Sequence, residues 1–138
     1  MKELKVKAID KNLSMVLDTV ESFIEGLCNS EIKNEILISV DELFINVAHY
    51  AYEGEEGEVS IVMELLEEKK RLRIIISDQG IPFNPLEKED PDIDLSLEER
   101  KIGGLGIFMV KDYMDHLEYK FENKSNMLIM EKNLRETD

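Results

Sequence analysis

Residues 41–53 read DELFINVAHYAYE, and two patterns are interleaved in them. Leu43, Phe44, Val47 and Ala51 continue an apolar series that starts with Ile32, Ile36, Leu37 and Val40 at the spacing of one helix face. Glu42, Asn46 and His49 fall at i, i+4 and i+7 and share a different face of the same helix. A carboxylate one turn from a carboxamide can serve one small site. Asn46 offers a neutral oxygen to a hard cation, and Glu42 can take a proton from a hydroxyl or a water. Alone, such a face reads as solvated surface, so the site reading depends on what else the chain carries.

Upstream, Glu3 to Ile9 alternate as a strand. Asp10 or Asn12 is placed to cap a helix in which Leu13, Val16, Leu17, Val20, Ile24 and Leu27 form the apolar stripe, with Gly26 marking its stop. Asn29 or Ser30 opens the second helix, which runs to about Tyr52 and ends at Glu53-Gly54. Downstream, Glu58–Leu66 and Arg71–Ser77 read as a hairpin around Glu67-Glu68-Lys69-Lys70. Asp78 to Lys101 lacks periodicity and holds all three prolines, Pro82, Pro85 and Pro91, so it reads as a lid or binding loop. A third helix is expected from Gly103 through His116, with His116 as its C-terminal cap. A closing hairpin follows, Leu117–Phe121 and Met127–Glu131 around a turn Glu122–Asn126, and Leu134–Asp138 is expected as a frayed tail. The order β-α-α-β-β-loop-α-β-β predicts an α/β two-layer sandwich, a mostly antiparallel mixed sheet with its helices on one face.

Two further constellations follow the helix. Asp78-Gln79-Gly80-Ile81-Pro82-Phe83 comes directly after an apolar strand. A carboxylate there can accept from an exocyclic amine, and Gly80 lets backbone approach a flat ring. The same residues also make an ordinary turn. Gly103-Gly104-Leu105-Gly106 opens the third helix, where free N–H groups and the helix dipole favour phosphate. It is neither a Walker loop nor a dinucleotide fingerprint, and a hinge ahead of a core helix is the plainer reading. Arg100 and Lys101 stand just upstream, placed to meet a phosphate or to be surface charges.

Composition sets the outer limits. The 138 residues, 43% hydrophobic and 35% charged, suit a single domain spanning 1–138. A net charge of −14 argues against non-specific nucleic-acid binding. No apolar run is long enough to span a bilayer and the N-terminus lacks a signal-peptide core, so the expectation is a cytoplasmic protein without membrane contact. Cys28 is the single cysteine, which excludes an intrachain disulfide and gives no support to a cysteine metal site.

With all three segments in view, the chain resembles the ATP-binding domain shared by gyrase, Hsp90, histidine kinases and MutL (the GHKL or Bergerat fold). Within that group it is most similar to the bacterial anti-sigma factor serine kinases. The likeness rests on DELFINVAHYAYE, on ISDQGIPFNPLE (76–87) and on GGLGIFMVKDYMDHLEY (103–119), and covers nearly the whole chain. It implies ATP and Mg2+ as cofactors, with Glu42 as catalytic base and Asn46 as magnesium ligand. Asp78 binds the adenine amine beside Gly80, Gly104 and Gly106 lie at the phosphates with Arg100 and Lys101 near them, and an ATP lid covers about 84–102. The implied activity is a serine/threonine protein kinase and anti-sigma factor acting on a STAS-domain antagonist, with a sigma factor as second partner and a possible homodimer. The alternative is an ATP-dependent module that sequesters a partner without useful turnover. The catalytic half of a histidine kinase is disfavoured because no helix pair with a phosphoacceptor histidine precedes the domain. A gyrase-like or MutL-like ATPase is disfavoured because no transducer domain follows. Two departures stand out: Tyr50-Ala51-Tyr52 replaces the family's usual His-Ala-Tyr, leaving His49 one position early as a surface or rim histidine, and Asn84 replaces an aspartate at the lid.

Overall fold

The structure, a computed structural model, describes residues 1–87 and 104–135. The strands are β1 (Lys2–Lys7), β2 (Glu58–Leu66), β3 (Arg71–Asp78), β4 (His116–Glu122) and β5 (Ser125–Asn133). The helices are α1 (Leu13–Phe23), α2 (Ser30–Asn46) and α3 (Gly104–Tyr113). The sheet order is β1-β2-β3-β5-β4, and every neighbouring pair is antiparallel. The expected two-layer sandwich is therefore present, and among the described residues the sheet has no parallel pair.

Period-two alternation decides which side of the sheet is covered. Val59, Ile61 and Met63 of β2, Leu72, Ile74 and Ile76 of β3, and Leu128 and Met130 of β5 are buried. They join Val16 and Val20 of α1, Ile36, Val40, Leu43 and Phe44 of α2, and Ile107 and Val110 of α3 in one core. The intervening residues, Val62, Ile75 and Ile129, stay half-buried on the other side. Each fully buried aliphatic side chain contributes roughly 1.5–3 kcal/mol, so this layer dominates the stability of the domain.

The ends of the elements correct several expectations. α1 stops at Phe23 and the chain turns through Gly26 at φ +76°, a left-handed conformation that glycine takes without a Cβ clash. Neither Asp10 nor Asn12 caps α1: the Asn12 amide donates to the Lys7 carbonyl at 2.9 Å, and Asp10 engages His49. Asn29 does cap α2, accepting from the Ile32 N–H at 2.8 Å. α2 continues beyond Asn46 as one π-helical turn, Val47–Ala51, a widening that often accompanies functional sites.

α3 ends three residues before His116, because the Lys132 ammonium donates to the Tyr113 carbonyl at 2.6 Å and closes the helix there. His116 is thus the exposed first residue of β4 and caps nothing. The closing turn is only Asn123-Lys124, both at positive φ as a tight hairpin turn requires, so Asn126 belongs to β5. Leu134 is no frayed tail: it is buried and its N–H donates to the Lys70 carbonyl at 2.8 Å. Among the described residues, no helix is long and apolar enough to cross a membrane.

Candidate functional site

Strand register builds one end of the site. Asp78, the last residue of β3, stands directly opposite Asn126 of β5. Both are buried on the helix-covered side of the sheet. Asp78 Oδ1 accepts from the Gly80 N–H and from the Asn126 side-chain amide, each at 2.9 Å. Among the described residues Oδ2 has no hydrogen-bond partner, so it keeps acceptor capacity inside a mostly apolar slot. Asn46, Ala51, Ile76, Ile81, Phe83 and Tyr119 help to line that slot. Its free space is about 40 Å³, far below the roughly 300–1,000 Å³ of a pocket that encloses a whole ligand. It suits the edge of a flat ring.

Gly80 permits the close approach that closes this slot. A Cβ on Gly80 would lie 2.1 Å from the Ala51 carbonyl oxygen and 2.5 Å from its carbon. The next residue, Ile81, donates its N–H to that same Ala51 oxygen at 2.9 Å. The π-helical end of α2 is thereby joined to the chain leaving β3. Tyr52 adds a second tie, its hydroxyl accepting from the Gln79 N–H and donating to the Glu58 carbonyl.

α2 and α3 build the other end. Asn46 is nearly buried, and its amide donates to the Glu42 carbonyl one turn back at 2.9 Å. Its Oδ1 has no partner among the described residues. A nearly buried amide oxygen without a partner is uncommon and has the donor chemistry of a hard-cation ligand. Glu42 reaches across to α3: a Cβ on Gly106 would lie 2.0 Å from Glu42 Oε2 and 2.4 Å from Cδ. The missing side chain at Gly106 is the space that the Glu42 carboxylate occupies. Burial pushes the Glu42 carboxyl above the usual carboxylate range, and the Asp41 charge pushes it the same way.

The polar face of α2, the end of β3 and the first turn of α3 therefore meet around one region. His49 does not join them. It is exposed, and its Nε2 lies 2.8 Å from Asp10 Oδ1 at the rim. Arg100, Lys101, Gly103 and lid positions 88–102 lie outside the described residues. Positions 85–87 form a single 3-10 turn, in which Asn84 Oδ1 accepts from the Leu86 N–H at 2.9 Å. Among the described residues, the Asn84 side chain thus bonds within its own turn. Asn126 escaped the sequence reading, which assigned it to a turn. Its period-two alignment with Leu128 and Met130 was the available signal. A larger groove of about 800 Å³, lined by Lys5, Ser60, Ser77 and Ser125, lies on the uncovered side of the sheet. It touches neither Glu42 nor Asn46, but it reaches Tyr52, Asp78 and Gln79 at the end of β3.

Residues 6–132 match the histidine kinase-like ATPase domain, which is more than half of the chain. The chain belongs to that family. It is 29% identical over 99 residues to a serine-protein kinase RsbW of Bacillus mycoides and, equally, to one of Bacillus cereus. Each match covers 69% of this chain and 61% of the relative, so the chain spans about three fifths of the relatives it matches. Among solved structures, the histidine kinase domain of the Erythrobacter litoralis EL346 blue-light activated histidine kinase superimposes with a TM-score of 0.57 over 90% of this chain and 60% of that one. Identity there is 14%, so that likeness concerns the fold alone.

Proposed function

We propose that this chain is an ATP-dependent serine/threonine protein kinase and anti-sigma factor, with a hydroxyl of a STAS-domain antagonist as acceptor. One observation carries the reading: the Glu42 carboxylate rests against Gly106 in the first turn of α3, so a proton acceptor and a phosphate-favouring helix start share one place. The likeness to serine-protein kinases supports the reaction class.

In this reading Asp78 Oδ2 accepts from the adenine amine, and Gly80 keeps the wall beside the ring free of a side chain. The start of α3 at Gly104 faces the phosphates, with Arg100 and Lys101 as further cations. Asn46 Oδ1 would hold magnesium, which when bound offsets charge on the transferring phosphates. Glu42 takes the proton of the acceptor hydroxyl as that oxygen forms a bond to the γ-phosphorus. The bond from phosphorus to the β,γ-bridging oxygen breaks, ADP leaves, and Glu42 returns its proton to water. A base whose pKa is raised towards the working pH suits this role. A sigma factor is the second partner, released when unphosphorylated antagonist takes its place.

The test is incubation with γ-labelled ATP, magnesium and a STAS-domain protein from the same organism. Label on a serine or threonine of that protein is expected. ATP that binds normally without labelling it would reject the kinase and leave a nucleotide-dependent binding module.

A further inference from the structure

We infer that Asn126 is a positioning residue for base recognition: it locks the Asp78 carboxylate so that only Oδ2 is offered to a nucleobase. The inference rests on the ATP reading and concerns how that same site tells one purine from another.

A carboxamide has two N–H donors and an oxygen with two lone pairs. In Asn126 all of this capacity is used. Its Nδ2 donates to Asp78 Oδ1 and to the Ile81 carbonyl, each at 2.9 Å. Its Oδ1 accepts from the Phe83 N–H at 3.2 Å and from the Tyr119 hydroxyl. Reversing the amide would set donor against donor at Phe83 and acceptor against acceptor at Ile81, so the partners allow one orientation. One buried side chain thus joins β3, β4, β5 and the segment leaving β3.

The consequence falls on Asp78. Oδ1 already accepts from Gly80 and Asn126. Rotation of the carboxyl would break both bonds in a buried place, where an unpaired donor costs about 1–3 kcal/mol. Oδ2 is therefore held as a fixed acceptor. An exocyclic amine can donate to it; a guanine, with a carbonyl at the corresponding position, meets oxygen with oxygen. Discrimination of this kind is strong when the site cannot adjust. Asn126 supplies that stiffness without touching the base.

The experiment is calorimetric titration of ATP, GTP and purine riboside triphosphate, which lacks the exocyclic amine. It uses wild type, Asn126→Ala, Asp78→Ala and the double variant, with thermal unfolding in the absence of nucleotide as a fold check. Asn126→Ala should weaken ATP by about 10–100-fold and the amine-free analogue by less than about threefold. In the Asp78→Ala background the same substitution should leave the ratio of the two affinities unchanged. Equal losses for both nucleotides, or a changed ratio in that background, would overturn the inference. Wild type that binds both nucleotides equally overturns the lock and leaves ATP binding standing. Wild type that binds neither removes the ATP reading, and the lock with it. Should the variants not fold, NMR of wild type still decides: the Asn126 side-chain amide signals should move on adding ATP and stay in place with the analogue. Identical responses to the two would refute the proposal.

Discussion

The two ends of the candidate site are built around glycines that do opposite work. At the Asp78 end, which we propose takes the base, the missing side chain of Gly80 makes room for backbone, the Ala51 carbonyl. At the Glu42 end, which we propose faces the phosphates, the missing side chain of Gly106 makes room for the tip of a side chain, the Glu42 carboxylate. The base end is closed by hydrogen bonds through Asp78, Asn126 and Ile81. At the phosphate end the Asn46 oxygen has no partner among the described residues, and the Glu42 carboxyl is raised by burial and by Asp41. One end is held rigid before a ligand arrives, with Asp78 Oδ2 left as an open acceptor. The other keeps acceptors and a strained charge whose natural complements are a cation and a proton. Recognition geometry can be paid for at folding, whereas charge stabilisation at the reacting end must wait for the charges.

The largest effect expected from this contrast is at Glu42. Glu42→Gln keeps the shape and removes the base, so phosphoryl transfer should fall by about 10²–10⁴-fold while ATP affinity stays within about threefold. A filter assay for labelled acceptor and calorimetry with ATP separate the two quantities. A large loss of affinity with unchanged turnover would erase the division between the ends.

The two glycines give the next test. In Gly80→Ala the new methyl meets backbone, which cannot rotate aside, so stability should drop by about 1–3 kcal/mol and ATP binding should weaken with it. In Gly106→Ala the methyl meets a flexible carboxylate, which can swing away. Alanine is also favoured over glycine within a helix by up to about 1 kcal/mol. Thermal stability should therefore hold or rise in Gly106→Ala, while phosphoryl transfer falls about 100-fold because the base is displaced. Urea unfolding and the transfer assay, run on both variants, check the pair; matching responses would mean the glycines are equivalent after all.

Why one end was legible in the sequence and the other only in part follows from the same geometry. Glu42 and Asn46 are one turn apart on a single helix, so their shared face can be read from spacing. β2 was legible to the residue, Glu58–Leu66, because alternation and turn residues agreed. Asp78 and Gly80 were visible as residue types, but the partner that fixes Asp78 lies 48 positions away in sequence. Only the pairing of β3 with β5, two strands not adjacent in the chain, brings Asn126 opposite Asp78. Likewise α3 was drawn too long because its end is set by Lys132 on a distant strand. Gly106 was read as a phosphate contact, whereas its contact with Glu42 depends on how α2 and α3 pack, which periodicity does not encode.

The smallest effect contrasts Glu42 with a carboxylate far from the site. Glu131, on the uncovered side of the sheet, accepts from Arg71 at 2.6 Å and from Arg73 at 3.1 Å. Burial would raise its pKa, but the hydrogen bonds from Arg73 and Arg71, together with their charges, outweigh that and hold it below the usual range. The two groups must then act on stability with opposite sign. A depressed carboxyl stabilises the fold at pH above its unfolded value and loses that contribution as pH falls through the folded value. A raised carboxyl does the reverse: it favours folding only while protonated, and that benefit disappears as pH rises through the raised value. Accordingly Glu131→Gln should cost about 1 kcal/mol at pH 7, and the gap to wild type should close below the usual carboxylate range. Glu42→Gln should raise Tm at pH 7 by about 1–2 °C, with the gain vanishing in the same acidic direction. Thermal unfolding of both variants from pH 3 to pH 8 reads the signs directly. If Glu42→Gln lowered Tm at neutral pH, the carboxylate would have a stabilising partner in the folded chain, and the Glu42 end would be as firmly fixed before ligand binding as the Asp78 end.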